Sequence, residues 1–252
     1  MKKLLLLVAL LAPILLIAQK AAPKQNKTTV LILHPLPGDR QGFEQGLAQH
    51  NSKFHKDQGQ VDIYEVLTGD RTGDYHFVYR NPASWGDVET AFNATNEKSH
   101  SDDWDQNVAK HLSGAGKRFF YEVSDDSYLP ANLAEMHADL MGLYLIDVNP
   151  GMEDDFFAGI TKIKEMYKKN NSKNYYAIQT STFGKGTQVT VVFPLAKGWA
   201  SFEPDLNDDW SKMFKAAFPK EDFKAWMKKF NGAQKSFESM VVKHRQDLSS
   251  LM

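Results

Sequence analysis

The chain has 252 residues, a formal net charge of −1 and no cysteine. That charge balance gives no electrostatic reason to expect nucleic acid or an anionic membrane as partner. The missing cysteines exclude disulfides, thiolate metal sites, a cysteine nucleophile and a lipid anchor on an N-terminal cysteine.

Lys2 and Lys3 precede an apolar run from Leu4 to Ala18, which is shorter than the roughly 18 residues a membrane-spanning helix needs. Residues 1–18 therefore read as a signal peptide, with cleavage near Ala18–Gln19, although Leu16 fits the small-x-small rule poorly. Residues 19–27 form a polar linker. The expectation is an exported protein, periplasmic or extracellular, with no membrane segment after cleavage.

Thr28–His34 is a strand-like apolar run closed by the turn Pro37-Gly38. Phe43, Leu47, His50 and Phe54 then recur at helical spacing, predicting a helix over about 40–56. Two strands, 61–68 and 75–79, flank a Gly/Thr-rich connection and read as a hairpin. A helical region over 83–111 and a strand over 118–123 complete the series. The same order returns after a linker at 131–142. It comprises a strand at 143–148, the turn Pro150-Gly151, a helix at 153–169, strands at 175–182 and 188–193, and a helical region at 200–230. A last segment, 237–244, reads as strand or helix.

The repetition extends to single residues. Pro37-Gly38, Phe43, Gly46 and Leu47 recur at identical spacing as Pro150-Gly151, Phe156, Gly159 and Ile160. Trp85 and Glu89 match Trp199 and Glu203, Pro82 matches Pro194, and Asp102-Asp103-Trp104 matches Asp208-Asp209-Trp210. Asp126 to Leu129 is weakly echoed by Asp247 to Leu251. A period this long means duplicated domains rather than a solenoid. The predicted fold class is α+β: two tandem ferredoxin-like β-α-β-β-α-β units, 28–130 and 143–252. Their strands are apolar on both parities, as Val30 to Leu33 are, so both sheet faces should be covered. Packing the units sheet to sheet as a single-chain α/β barrel achieves this.

On element order and duplication, the chain resembles the dimeric α/β-barrel superfamily, in the NIPSNAP and antibiotic-biosynthesis-monooxygenase type, as a tandem pseudo-dimer. The resemblance implies a fold more than an activity, since such proteins include oxygenases, haem-degrading enzymes, isomerases and non-enzymatic members.

Candidate chemistry is sparse. No nucleotide-binding or hydrolase motif is present. The Asp-Asp-Trp motifs read as helix caps whose Trp anchors the helix on the sheet. His50 and His55 sit about 140° apart around a helix and are not expected to share a ligand. No histidine pair has metal spacing, so no metal site is expected. His34 and His76 lie on adjacent strands and, if both point into the barrel, could bind haem or move protons. Tyr64, Tyr75, Phe77 and Tyr176 on the strands, with Arg71 on the first hairpin, would line a pocket for a small, largely apolar molecule, unless they fill the barrel as a solid core. Three functions stay open: a ligand-binding protein, an oxygenase-like enzyme with haem or without cofactor, and a non-catalytic interaction protein. The lysines around Lys162–Lys169 and Lys212–Lys229 read as solvated helix faces. The chain itself would be a monomer or a dimer.

Overall fold

The computed structural model describes residues 27–56, 59–79, 84–95, 97–183, 186–203 and 209–250. Residues 1–18, the stretch expected to be a signal peptide, lie outside the described residues, as do Pro82 and Asp208. The strands are β1 Lys27–Leu33, β2 Val61–Val66, β3 Tyr75–Tyr79, β4 Lys117–Val123, β5 Leu140–Val148, β6 Ala177–Phe183, β7 Gln188–Pro194 and β8 Gln234–His244. The helices among the described residues are α1 Arg40–Phe54, α2 Trp85–Thr95, α3 Lys98–Asn107, α4 Glu153–Lys169, α5 Trp210–Ala217 and α6 Phe223–Gly232. None is long and apolar enough to cross a membrane.

The eight strands close into an antiparallel barrel in the order β1-β3-β2-β8-β5-β7-β6-β4. Each half contributes four neighbouring strands with the same internal pairing: first with third, third with second, and first with fourth. The halves meet at two seams, β2 with β8 and β4 with β6. The ambiguous last segment is a strand because β5 pairs with it from Leu140 to Val148. Strand β5 begins at Leu140, inside the predicted 131–142 linker.

Alternation along each strand divides the side chains between two apolar layers. One face meets the helices. In the first half it gives the cluster Leu33, Phe43, Leu47, Val61, Ile63, Tyr75 and Phe77. In the second half it gives Ile146, Val148, Phe156, Ile160, Ile163 and Ile178. The other face points into the barrel, where Val66, Met141, Leu143, Leu145, Met240 and Val242 pack together. Fully burying one such side chain contributes roughly 1.5–3 kcal/mol.

The repeated glycines have a packing reason. Gly38 and Gly151 adopt φ of +83° and +82°, which suits only glycine after the strand. A Cβ on Gly46 would lie 1.7 Å from the Asn107 carbonyl oxygen, and one on Gly159 would lie 2.2 Å from the Phe230 ring. In each half the missing side chain lets the long helix touch its neighbour.

The Asp-Asp-Trp copies diverge. Asp209 caps α5 by accepting the Lys212 amide at 3.1 Å. Asp102 and Asp103 lie inside α3 and cap nothing, because that helix starts four residues before Asp102, at Lys98. The expectation for His50 and His55 also fails. Helix α1 ends at Phe54, so His55 leaves the helical path and its ring folds to 5.5 Å from that of His50. The lysine faces are partnered rather than merely solvated. Lys162 pairs with Glu221, and Lys169 stands 4.2 Å above the Phe218 ring.

Candidate functional site

A cavity of about 1230 Å³ opens on the helix side of the second-half sheet, outside the barrel. Its floor is the outward face of β5, β6 and β7, with Tyr144, Ile146, Ile178, Val191 and Phe193. Helix α4 supplies Ile160, Ile163 and Tyr167 as one wall, and Trp210 and Phe230 close another.

The cavity exists because helices α5 and α6 spend their aromatic faces on each other and on α4. Phe214 stacks on Trp226 at 4.8 Å, Trp226 stacks on Phe230 at 5.9 Å, and Met166 joins Met213, Phe214 and Phe218 in a separate cluster. Toward Tyr144, Val191 and Phe193 the sheet floor is only partly covered. In the first half Trp104 of α3 reaches the sheet and meets Phe77 at 6.1 Å. The matching Trp210 instead faces Tyr167 at 6.2 Å, on the cavity wall. The same motif thus plugs one half and lines a space in the other.

The wall is apolar with a few phenols. Tyr176 is 7% exposed, and its buried hydroxyl has no hydrogen-bond partner within the protein. Leaving such a group unsatisfied costs about 1–3 kcal/mol. Burial pushes the Tyr176 phenol well above its usual range, with Tyr167, Asp126 and Tyr128 adding to the shift, and burial also raises Tyr144. Both phenols therefore stay protonated as donors. Glu135, His137, Lys173, Lys197 and Glu203 supply the polar groups of the lining. Phe202 and Phe237, 53% and 55% exposed, add apolar surface beside them.

The candidates read from the sequence fall into three places. Tyr176 lines the cavity. Tyr75 and Phe77 face the first-half helices, in its apolar core. His34, His76, Tyr64 and Arg71 belong to the barrel layer. Tyr64 pairs in register with His76 and stacks on His244 at 5.0 Å. His34 Nδ1 contacts Asp74 at 2.7 Å, and Arg71 donates to Glu238 at 3.0 Å. His76 is 6% exposed, and its Nε2 has no partner. Burial, then the charges of Arg71 and His34, lowers its pKa to about 4. His34, His76 and Arg71 do converge, but on the barrel layer rather than on the cavity.

The pair expected to hold haem lies elsewhere. Neither His34 nor His76 lines the cavity, whose lining has a single histidine, His137, beside the short turn Leu133–Met136. The residues that sequence reasoning missed, Tyr144 and Phe237 above all, sit on strands whose two apolar parities look alike. Only the placement of the helices says which parity is left uncovered.

No known family profile and no curated protein sequence matches the chain. Its fold is shared by solved proteins of dimeric α/β-barrel type. An anthrone oxidase-like protein superposes with a TM-score of 0.52 at 10% identity, covering 88% of this chain and 92% of its own. A provisionally assigned monooxygenase from Fusobacterium nucleatum subsp. nucleatum gives 0.51 at 13% identity, covering 87% and 92%. A chlorite dismutase variant from Candidatus Nitrospira defluvii gives 0.51 at 10%, covering 89% and 93%. At these identities the likeness is one of fold.

Proposed function

We propose that the chain is an exported binding protein, a tandem pseudo-dimer of ferredoxin-like units that holds a small, largely apolar ligand in the cavity of its second half. The observation that carries this reading is the cavity itself. At about 1230 Å³ it exceeds the roughly 300–1,000 Å³ of most small-molecule pockets, and its lining is mainly aliphatic and aromatic, with charged and amide side chains such as Glu135, Lys173 and Asn231 among it. The unpartnered Tyr176 hydroxyl would give an apolar ligand with one acceptor a single orienting hydrogen bond. Flat ring systems suit the Tyr144, Phe193 and Tyr167 walls, which offer faces and edges for offset stacking.

The repeated residues and the equal strand pairing of the two halves support the duplication. The Leu4–Ala18 run supports export, and N-terminal sequencing of secreted protein should begin at Gln19.

The binding reading is tested by titrating the purified chain with an environment-sensitive naphthalene dye. Saturable binding is expected, and Ile163→Trp, which places an indole in the cavity, should abolish it while the circular dichroism is unchanged. Equal binding by the variant would reject the site. Conversion of a bound aromatic compound in air, followed by mass spectrometry, would move the assignment from binding protein to oxygenase-like enzyme.

A further inference from the structure

Three buried histidines of the first half converge far along the chain from the cavity residues. They are His50 on α1, His55 just past its end, and His100 on α3, at 0%, 2% and 9% exposure. One ring nitrogen from each falls within a group spanning no more than 4.8 Å. His55 Nε2 and His100 Nε2 are 3.3 Å apart. That equals the separation of about 3.3 Å between two nitrogens bound to one tetrahedral zinc at roughly 2.0–2.1 Å.

The opposite edges of two rings are already committed. His55 Nδ1 lies 2.7 Å from the Gly59 carbonyl, which can only accept, so Nδ1 carries the proton and Nε2 the lone pair. His50 Nδ1 lies 2.9 Å from the Asp103 carboxylate, whose other oxygen takes Lys53 at 2.9 Å. His50 Nε2 is thereby left as a lone pair, buried and without any hydrogen-bond partner. A carboxylate behind a ligating imidazole is the arrangement that orients histidine on a metal and raises its basicity.

A bare cluster of this kind is poorly satisfied. Around it stand Phe54, Phe77, Tyr79 and Trp104, whose rings contact the imidazoles. A single N–H on His100 Nε2 satisfies His55, but nothing serves His50. A cation at the centre would satisfy all three lone pairs together.

We infer that His50, His55 and His100 form a site for a borderline divalent cation, Zn2+ by its ligand set, with Asp103 as positioning residue and a water in the open fourth position. The cation would tie the end of α1, the turn at Gly59 and α3 together in a chain that has no disulfide to do so. His50 and Asp103 come from separate helices that meet only in the fold, which is why no spacing in the sequence announces the site.

The test uses the full chain, stripped with a chelator and titrated with Zn2+ and with Co2+. One equivalent should bind, Co2+ should show visible ligand-field bands of low coordination number, and zinc-edge X-ray absorption should show imidazole scattering from three rings. His100→Ala should weaken Zn2+ at least about 100-fold, and Asp103→Asn about 10–100-fold, because only the orienting partner is lost. His244→Ala, at a histidine of β8 that stacks on Tyr64 away from the cluster, should bind as the parent does. The X-ray absorption of the unmutated chain keeps the test decisive if His100→Ala fails to fold. Absence of stoichiometric binding, a bound ion lacking imidazole scattering, or unchanged affinity in folded His100→Ala would overturn the site.

Discussion

Ser249 and Ile63 are 186 positions apart, yet the Ser249 hydroxyl accepts the buried Ile63 amide at 2.9 Å. The other seam carries the same bond, because Ser127 Oγ accepts the Ile178 amide at 2.9 Å. Each serine hydroxyl also donates to a carbonyl just upstream, Arg245 or Ser124. The next residue pairs with the strand two positions earlier: Ser250 with Val61, and Tyr128 with Tyr176. The tail of each half therefore closes the edge strand of the other. Ser249→Ala and Ser127→Ala each strand a buried amide and should cost about 1–3 kcal/mol in urea unfolding. A loss below a few tenths at both positions would show that the seams do not depend on these bonds.

The helix contact at Gly46 should be less forgiving than its counterpart. A side chain there would run into backbone, the Asn107 carbonyl, whereas one at Gly159 would meet the Phe230 side chain beside the cavity. Gly46→Ala should destabilise by about 3 kcal/mol or more, at the top of the overpacking range. Gly159→Ala should cost less, since the Phe230 ring can swing into the cavity, and should weaken dye binding. Chemical denaturation of both variants, with the dye titration, checks the order.

Acid should weaken the fold in two windows. His76 has a folded pKa of about 4 against about 6.5 unfolded, so the unfolded chain binds more protons between these values. Stability is complete above pH 6.5 and falls as pH drops towards 4. Burial is the main cause, and the Arg71 guanidinium and then His34 add to it, with Lys117 and Tyr64 in the neighbouring register. Relative to the parent, His76→Leu should gain about 2–3 kcal/mol between pH 7 and pH 4. A constant difference across that range would contradict the assignment.

The second window belongs to Glu44. Hydrogen bonds from Arg245, then Tyr75 and Arg40, hold its carboxyl down at about 2, against 4.5 unfolded. Arg245 donates to Glu44 at 2.6 Å and to Glu65 at 3.1 Å, and Arg40 also reaches Glu65 at 2.8 Å. The Glu44 contribution is present above pH 4.5 and disappears as pH falls towards 2. Allowing for solvent screening, it amounts to about 1–2 kcal/mol. Glu44→Gln should remove that low-pH slope without changing the His76 window, as thermal unfolding from pH 7 to pH 2 would show.

Much of this architecture is legible in the residues. The turn glycines, the helix at Glu153–Lys169 and the strand Tyr75–Tyr79 fall where pattern and spacing put them. The cavity is not legible, because Trp104 and Trp210 occupy matching places and only the path of their helices decides which one covers a sheet. The histidine cluster is hidden by one helix end. Extending α1 to Lys56 keeps His55 on the helical screw, whereas stopping at Phe54 turns its ring back onto His50. Strand adjacency groups the barrel histidines correctly, but it carries no information about whether the lumen is packed.

The most direct measurement is a crystal structure of the protein soaked with a brominated naphthalene, using the bromine's anomalous signal to mark its position. The expected peak lies between Ile163 of α4 and Tyr176, with a polar substituent near the phenol oxygen. A peak inside the barrel, among Met141, Leu143 and Met240, or no ordered bromine at all, would contradict ligand binding in the second-half cavity.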